Sequence, residues 1–234
     1  MKSFIFLCLL VTLCAAQIRP PSNVLDQAVR AIKTAKTTVQ DAMSDMKRNR
    51  RTIDMNTRNQ ISNIQYQSFK NINDIQSTRL NYIKEKSEQA KEAGKNVDDC
   101  LNAVTNNMRT ATQTGNRELI ACENKAKQDL DTQLQAFDTE EANGQKLINQ
   151  LDSVSLACYN SNIMQMANCM IIKVGLINID IRQYQQRIAQ VERQVQSNKN
   201  NIITSQYSCN NNAVTKVRNA SSQAIYDVTD CLKN

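Results

Sequence analysis

Residues 97–130, VDDCLNAVTNNMRTATQTGNRELIACENKAKQDL, decide the fold. Val97, Met108, Leu119 and Leu130 recur every 11 residues, and Val104, Gly115 and Ala126 form a second row that continues to Phe137 and Ile148. An 11-residue repeat is about 3.67 residues per turn, close to the natural α-helix, so each row runs as a nearly straight stripe along one helix. The same period precedes this stretch, in Ile53, Ile64, Ile75 and in Ile61, Ile72, Ile83. It also follows it, in Ile202, Ala213, Ala224, in Val195, Gln206, Val217, Val228 and in Cys209, Ala220, Cys231. The chain holds 4 glycines and 2 prolines, the prolines at positions 20 and 21, so nothing after Pro21 forbids helix. Aromatic content of 4% with no tryptophan favours thin, elongated packing over a thick core.

The cysteines obey the same period. Cys100 and Cys122 lie 22 residues apart, as do Cys209 and Cys231, while Cys158 and Cys169 lie 11 apart. Along a helix, 22 residues span about 33 Å, so the pairs on one helix cannot bond to each other and must bond across helices. Six cysteines admit 15 pairings. The spacing is concentric and selects a nested set: Cys100 with Cys231, Cys122 with Cys209, Cys158 with Cys169. Breaks are expected at residues 93–96 and 159–168, leaving helical segments 23–92, 97–157 and 170–231. The reading is an all-α, elongated, up-down-up bundle of three long helices, stapled by disulfides. A turn at residues 138–144, giving four shorter helices, is the alternative.

The opening MKSFIFLCLLVTLCAAQ has a basic Lys2, an apolar run over residues 4–13 and small residues before Gln17, the form of a secretory signal over residues 1–16. Its removal takes Cys8 and Cys14 with it. Six cysteines in an oxidising compartment favour disulfides over thiol chemistry. Without histidine or a CxxC pair, zinc is disfavoured, and so are the usual nucleophile–histidine triads. No later stretch reads as a membrane span. The expectation is a secreted extracellular protein, with no cofactor and no enzymatic activity.

The stretch QYSCNNNAVTKVRNASSQAIYDVTDCL at 206–232, with its Cys-x21-Cys spacing, resembles the end of the TsetseEP domain of insect secreted proteins, and DDCLNAV from Asp98 resembles its opening. The resemblance covers residues 98–232, including all six cysteines; the basic segment 17–97 lies outside it. It implies a small secreted insect protein, in some members of gut or immune-responsive tissue, with no established catalytic activity. The chain departs from the name-giving member in lacking a Glu-Pro repeat tail.

Lys47, Arg48, Arg50 and Arg51 form the dense basic cluster of a segment, 17–97, in which basic residues outnumber acidic ones. Arg48-Asn49-Arg50-Arg51 has the form cut by secretory processing proteases; a solvated helix face and a patch for anionic glycans are the other readings. Nucleic acid is not expected, because the cluster lacks interleaved stacking aromatics. Asn219 heads the one N-glycosylation sequon. Met164, Met166 and Met170 read as gap-filling side chains, or else as an adaptable tip or soft metal site. The adjacent acids Asp98, Asp99 and Glu140, Glu141 read as caps and solvated charges. The function expected is structural or interactive, toward a protein, a glycan matrix or a microbial surface, with self-association open. An apolipoprotein-like lipid carrier is the second reading, since 11-residue amphipathic repeats also suit lipid.

Overall fold

A computed structural model of the chain describes residues 21–233. The leader read at residues 1–16 therefore lies outside the described residues, as do Cys8 and Cys14. Three α-helices account for nearly all of the rest: α1, Pro21–Glu92, of 72 residues; α2, Asp98–Ala157, of 60; and α3, Ile163–Lys233, of 71. The fold is an all-α, disulfide-stapled three-helix bundle. Helix α2 runs unbroken through residues 138–144, so the four-helix alternative is not realised.

Local chemistry sets each boundary. Pro21 opens α1, where its fixed φ suits the first turn and its missing N–H is no loss. Gly94 closes α1 with φ +72°; its N–H reaches the Lys91 carbonyl at 3.0 Å and that of Lys95 reaches Ala90 at 2.9 Å, the two bonds of a Schellman cap. Asp98 and Asp99 place negative charge on the first turn of α2, and Asp98 pairs with Lys91 across the bend at 3.2 Å. Helix α3 begins at residue 163, not near 170 as the asparagine-rich stretch suggested. The reason is Asn162: its Oδ1 accepts from the backbone N–H groups of Met164 at 3.0 Å and Gln165 at 3.2 Å, a side-chain N-cap hidden among the turn residues.

The chain forms two compact units, and every helix contributes to both. One comprises residues 46–139 and 188–234. In its ion pairs Arg50–Asp138 and Arg58–Asp131 the α2 partner's number falls as the α1 number rises, so α1 and α2 run antiparallel there. Cys122–Cys209 and Cys100–Cys231 do the same for α2 and α3, with Cα atoms 5.9 and 5.8 Å apart. The bonds Arg79–Ser221 and Asn210–Ser68 keep a constant index difference, so α1 and α3 are parallel. The 11-residue rows form the core: Ile61, Ile72, Ile83 from α1, Met108, Leu119, Leu130 from α2, and Val195, Val217, Val228 from α3 are all buried. Gln206, which shares the last row, is buried too, its Nε2 donating to the Ile61 carbonyl at 2.9 Å.

The other unit comprises residues 1–45 and 140–187, described from residue 21. Lys36 pairs with Asp152 at 2.8 Å, and Cys158–Cys169 closes the α2–α3 bend with Cα atoms 5.6 Å apart. Val39, Leu151, Met170, Val174 and Tyr184 fill its interior. A β-carbon on Gly144 would stand 2.6 Å from the Tyr184 hydroxyl and 2.7 Å from the Met43 side chain, so α2 needs glycine there for the helices to close. Glu140 is buried in this unit. Its carboxylate takes Arg187 Nε at 3.2 Å and Asn143 Nδ2 at 3.2 Å, which corrects its reading as a solvated charge.

Candidate functional site

The first five turns of α3 carry apolar residues on two faces. Ala167, Met170, Val174 and Ile181, spaced 3, 4 and 7 apart, make the inward stripe and are buried. A second set of apolar residues faces outward: Ile172, Leu176 and Ile179 lie opposite that stripe and Met164 and Ile171 along its flank, with Ile172 65% and Leu176 61% exposed. An amphipathic helix normally turns its apolar face to the core and its polar face to solvent; this one also turns apolar residues outward. By length and composition α3 could cross a membrane. That criterion is one of length and composition alone, which the core helix of a soluble bundle also meets.

The face has a defined frame. On one flank, Leu176 and Ile177 meet Ser153 and Val154 of α2 in a shallow groove whose ends carry Lys173 and Asp180. Those two residues are seven apart, so both stand on that flank, two turns from each other. At the end of the bundle, Tyr159 and Leu156 are also exposed beside the Cys158–Cys169 bridge. In the middle of the face stands Gly175. A β-carbon there would meet nothing within 4 Å, in contrast to Gly144 and to Gly115, where it would lie 2.5 Å from Val217 Cγ2. This unit carries seven Lys plus Arg and seven Asp plus Glu among its described residues, a net charge of zero. The other carries 20 against 15, a net +5.

The residues singled out from sequence are dispersed. The six cysteines are joined as Cys100–Cys231, Cys122–Cys209 and Cys158–Cys169. Lys47, Arg48, Arg50 and Arg51 sit in mid-α1; Arg50 holds Asp138 through both nitrogens at 2.5 and 3.3 Å, and a protease would have to unwind the helix to cut there. Asn219 is exposed on α3, but the sequon's Ser221 is buried and accepts from Arg79 Nε at 3.0 Å. The three methionines do not converge: Met170 is in the core, Met166 half-buried and Met164 on the outer face. Among the described residues no group of three or more His, Cys, Asp or Glu stands where it could hold a metal ion.

Tyr184, beside this region, is fully buried, and its hydroxyl has no hydrogen-bond partner among the described residues. Burial, followed by the negative charge of Glu140, pushes its ionisation up to about 12. The phenol is therefore locked in its neutral form, without a base to activate it. The exposed apolar face was missed in the sequence reading. Its signal is present, since MIIKVGLINI shows no 3.6-residue alternation of polar with apolar positions.

No protein-family model matches the chain, and no match is found among curated proteins or solved structures.

Proposed function

We propose that the protein is secreted and non-enzymatic, with a structural or interaction role in insect gut or immune tissue, as the TsetseEP-like stretch 98–232 implies. The observation carrying this reading is the placement of the cystines: two tie α2 to α3 and the third ties the bend just past α2 to α3. Such bonds persist in oxidising compartments. They fix two long helices against separation, which suits a chain whose work is to present a lasting surface. The partner would be a protein, a glycan matrix or a microbial surface, and the +5 unit, with Arg48 and Arg51 exposed on α1, is the part suited to acidic glycans.

The test is expression of the whole chain, leader included, in cultured insect cells. Recovery from the medium with the three cystines intact, and salt-sensitive retention on a heparin column, is the expected result. Retention inside the cell with free thiols would end the reading.

An apolipoprotein-like lipid carrier is the second reading, favoured by the outward apolar stripe of α3. The staples oppose it, because α2 and α3 cannot part to lay their inner stripes on lipid. Helix α1 alone, which holds no cysteine, is free to open.

A further inference from the structure

We propose that the outer face of α3, centred on Gly175 and Leu176, is the contact by which two copies of this chain pair antiparallel across a two-fold axis. Three separate observations meet there.

The first is area. Met164, Ile171, Ile172, Leu176 and Ile179 together leave the equivalent of about two and a half whole side chains exposed, on the order of 380 Å² of apolar surface at roughly 150 Å² each. A standard interface takes about 800 Å² from each partner, about two thirds of it apolar at its core, so the face supplies the larger part of the required apolar share.

The second is Gly175. A glycine within a helix costs about 1 kcal/mol relative to alanine, and Gly144 and Gly115 are required because a β-carbon would strike the neighbouring helix. Nothing inside the unit requires Gly175, whose β-carbon position is open for 4 Å around. The missing side chain lies on the outer stripe between Ile172 and Ile179, where it lets a second helix approach closely. A bilayer or a mobile lipid chain has no use for such a gap.

The third is charge. A two-fold axis perpendicular to α3 between residues 176 and 177 exchanges position 173 with position 180. Lys173 of each copy then stands level with Asp180 of the other, twice, on the Leu176 flank of the contact, both residues being exposed in the single chain. The unit's net charge of zero adds no self-repulsion to this pairing.

The experiment is sedimentation velocity on the full secreted chain, cystines intact and without detergent, from about 1 to about 100 µM, a range that brackets micromolar association. A monomer–dimer equilibrium is expected. Ile172→Glu with Leu176→Glu abolishes it without changing the monomer's thermal melt, because both side chains are exposed. Gly175→Leu weakens pairing about tenfold or more while raising the helical stability of the monomer, opposite signs that a general folding defect cannot produce. Lys173→Asp or Asp180→Lys alone weakens pairing, and the two together restore it. A monomer at the highest concentration, a dimer indifferent to these variants, or a monomer that floats with phosphatidylcholine vesicles through Ile172 and Leu176 would each overturn the proposal, the last in favour of lipid.

Discussion

A phenol buried without a hydrogen-bond partner is a local cost, and Tyr184 carries one. Removing an unsatisfied buried hydroxyl while keeping the ring relieves desolvation, so Tyr184→Phe is expected to raise stability at neutral pH by about 1 kcal/mol, read as a higher urea midpoint. The alkaline response follows from the folded ionisation at about 12 against about 10 in an unfolded chain. Below pH 10 both states hold the proton and the tyrosine's contribution is constant. As pH rises from about 10 toward 12 the unfolded chain ionises first, so stability is lost across that window. Urea midpoints of the parent and Tyr184→Phe proteins should therefore diverge above pH 10, the parent falling faster; parallel curves would refute the assignment. Gly144 tests the same contact from the other side. Alanine there gains helix propensity but meets the Tyr184 hydroxyl at 2.6 Å and Met43 at 2.7 Å, for an expected net loss of about 1–3 kcal/mol. Combining it with Tyr184→Phe should recover part of that loss in a double-mutant cycle, and strict additivity would show that the hydroxyl is not the obstacle.

At the scale of the helix, the caps decide where each rod stops. Gly94 holds φ +72° so that two backbone bonds can close α1. Gly94→Ala forces a β-carbon into left-handed backbone at an expected cost of about 1–2 kcal/mol, measured by thermal melting; an unchanged melt would mean that the cap relaxes freely. Element type was legible because glycine and proline are scarce and the apolar rows keep an 11-residue period over hundreds of ångströms of chain, a signal local enough to survive without tertiary knowledge. The start of α3 was not legible: Asn160 and Asn162 are the same residue type two positions apart, and only the backbone shows which one caps. The burial of Glu140 was not legible either, and the row that holds Gln206 marks its place but not its partner, since a buried polar group depends on what faces it from another helix, here Arg187 and the Ile61 carbonyl. The face proposed for pairing sits between these cases. Periodicity locates apolar residues, but a stretch apolar on both sides gives no sign of which side the rest of the chain will leave uncovered.

At the scale of the whole molecule, covalent links and charge are unevenly shared. Cys158–Cys169 closes 11 residues of chain, whereas Cys100–Cys231 and Cys122–Cys209 span 131 and 87. With its inner neighbour intact, Cys100–Cys231 restrains an effective loop of roughly 45 residues, worth about 4 kcal/mol in the loop-entropy account against about 3 for the short one. Replacing Cys100 and Cys231 by serine should therefore lower the urea stability more than replacing Cys158 and Cys169. The reverse order would show that native packing at the bend, and not chain entropy, dominates. Heparin retention should follow the +5 unit and fade with salt, because exposed charges are screened beyond about a Debye length.

Helix α1 has no covalent staple, and its apolar rows repeat every 11 residues. Such a helix is nearly superposable on itself after three turns, roughly 16 Å along its axis, so apolar packing alone leaves its address on α3 ambiguous. The seam between the two is where the ambiguity ends. Asn210 Nδ2 meets Ser68 Oγ at 3.1 Å and Arg79 Nε meets Ser221 Oγ at 3.0 Å, one repeat apart. A slip of one repeat would set Arg79 against Asn210 and Ser68 against Lys199, mismatching both size and charge. The periodic rows give adhesion without position; the aperiodic polar seam works as a vernier, telling α1 at which repeat to stop.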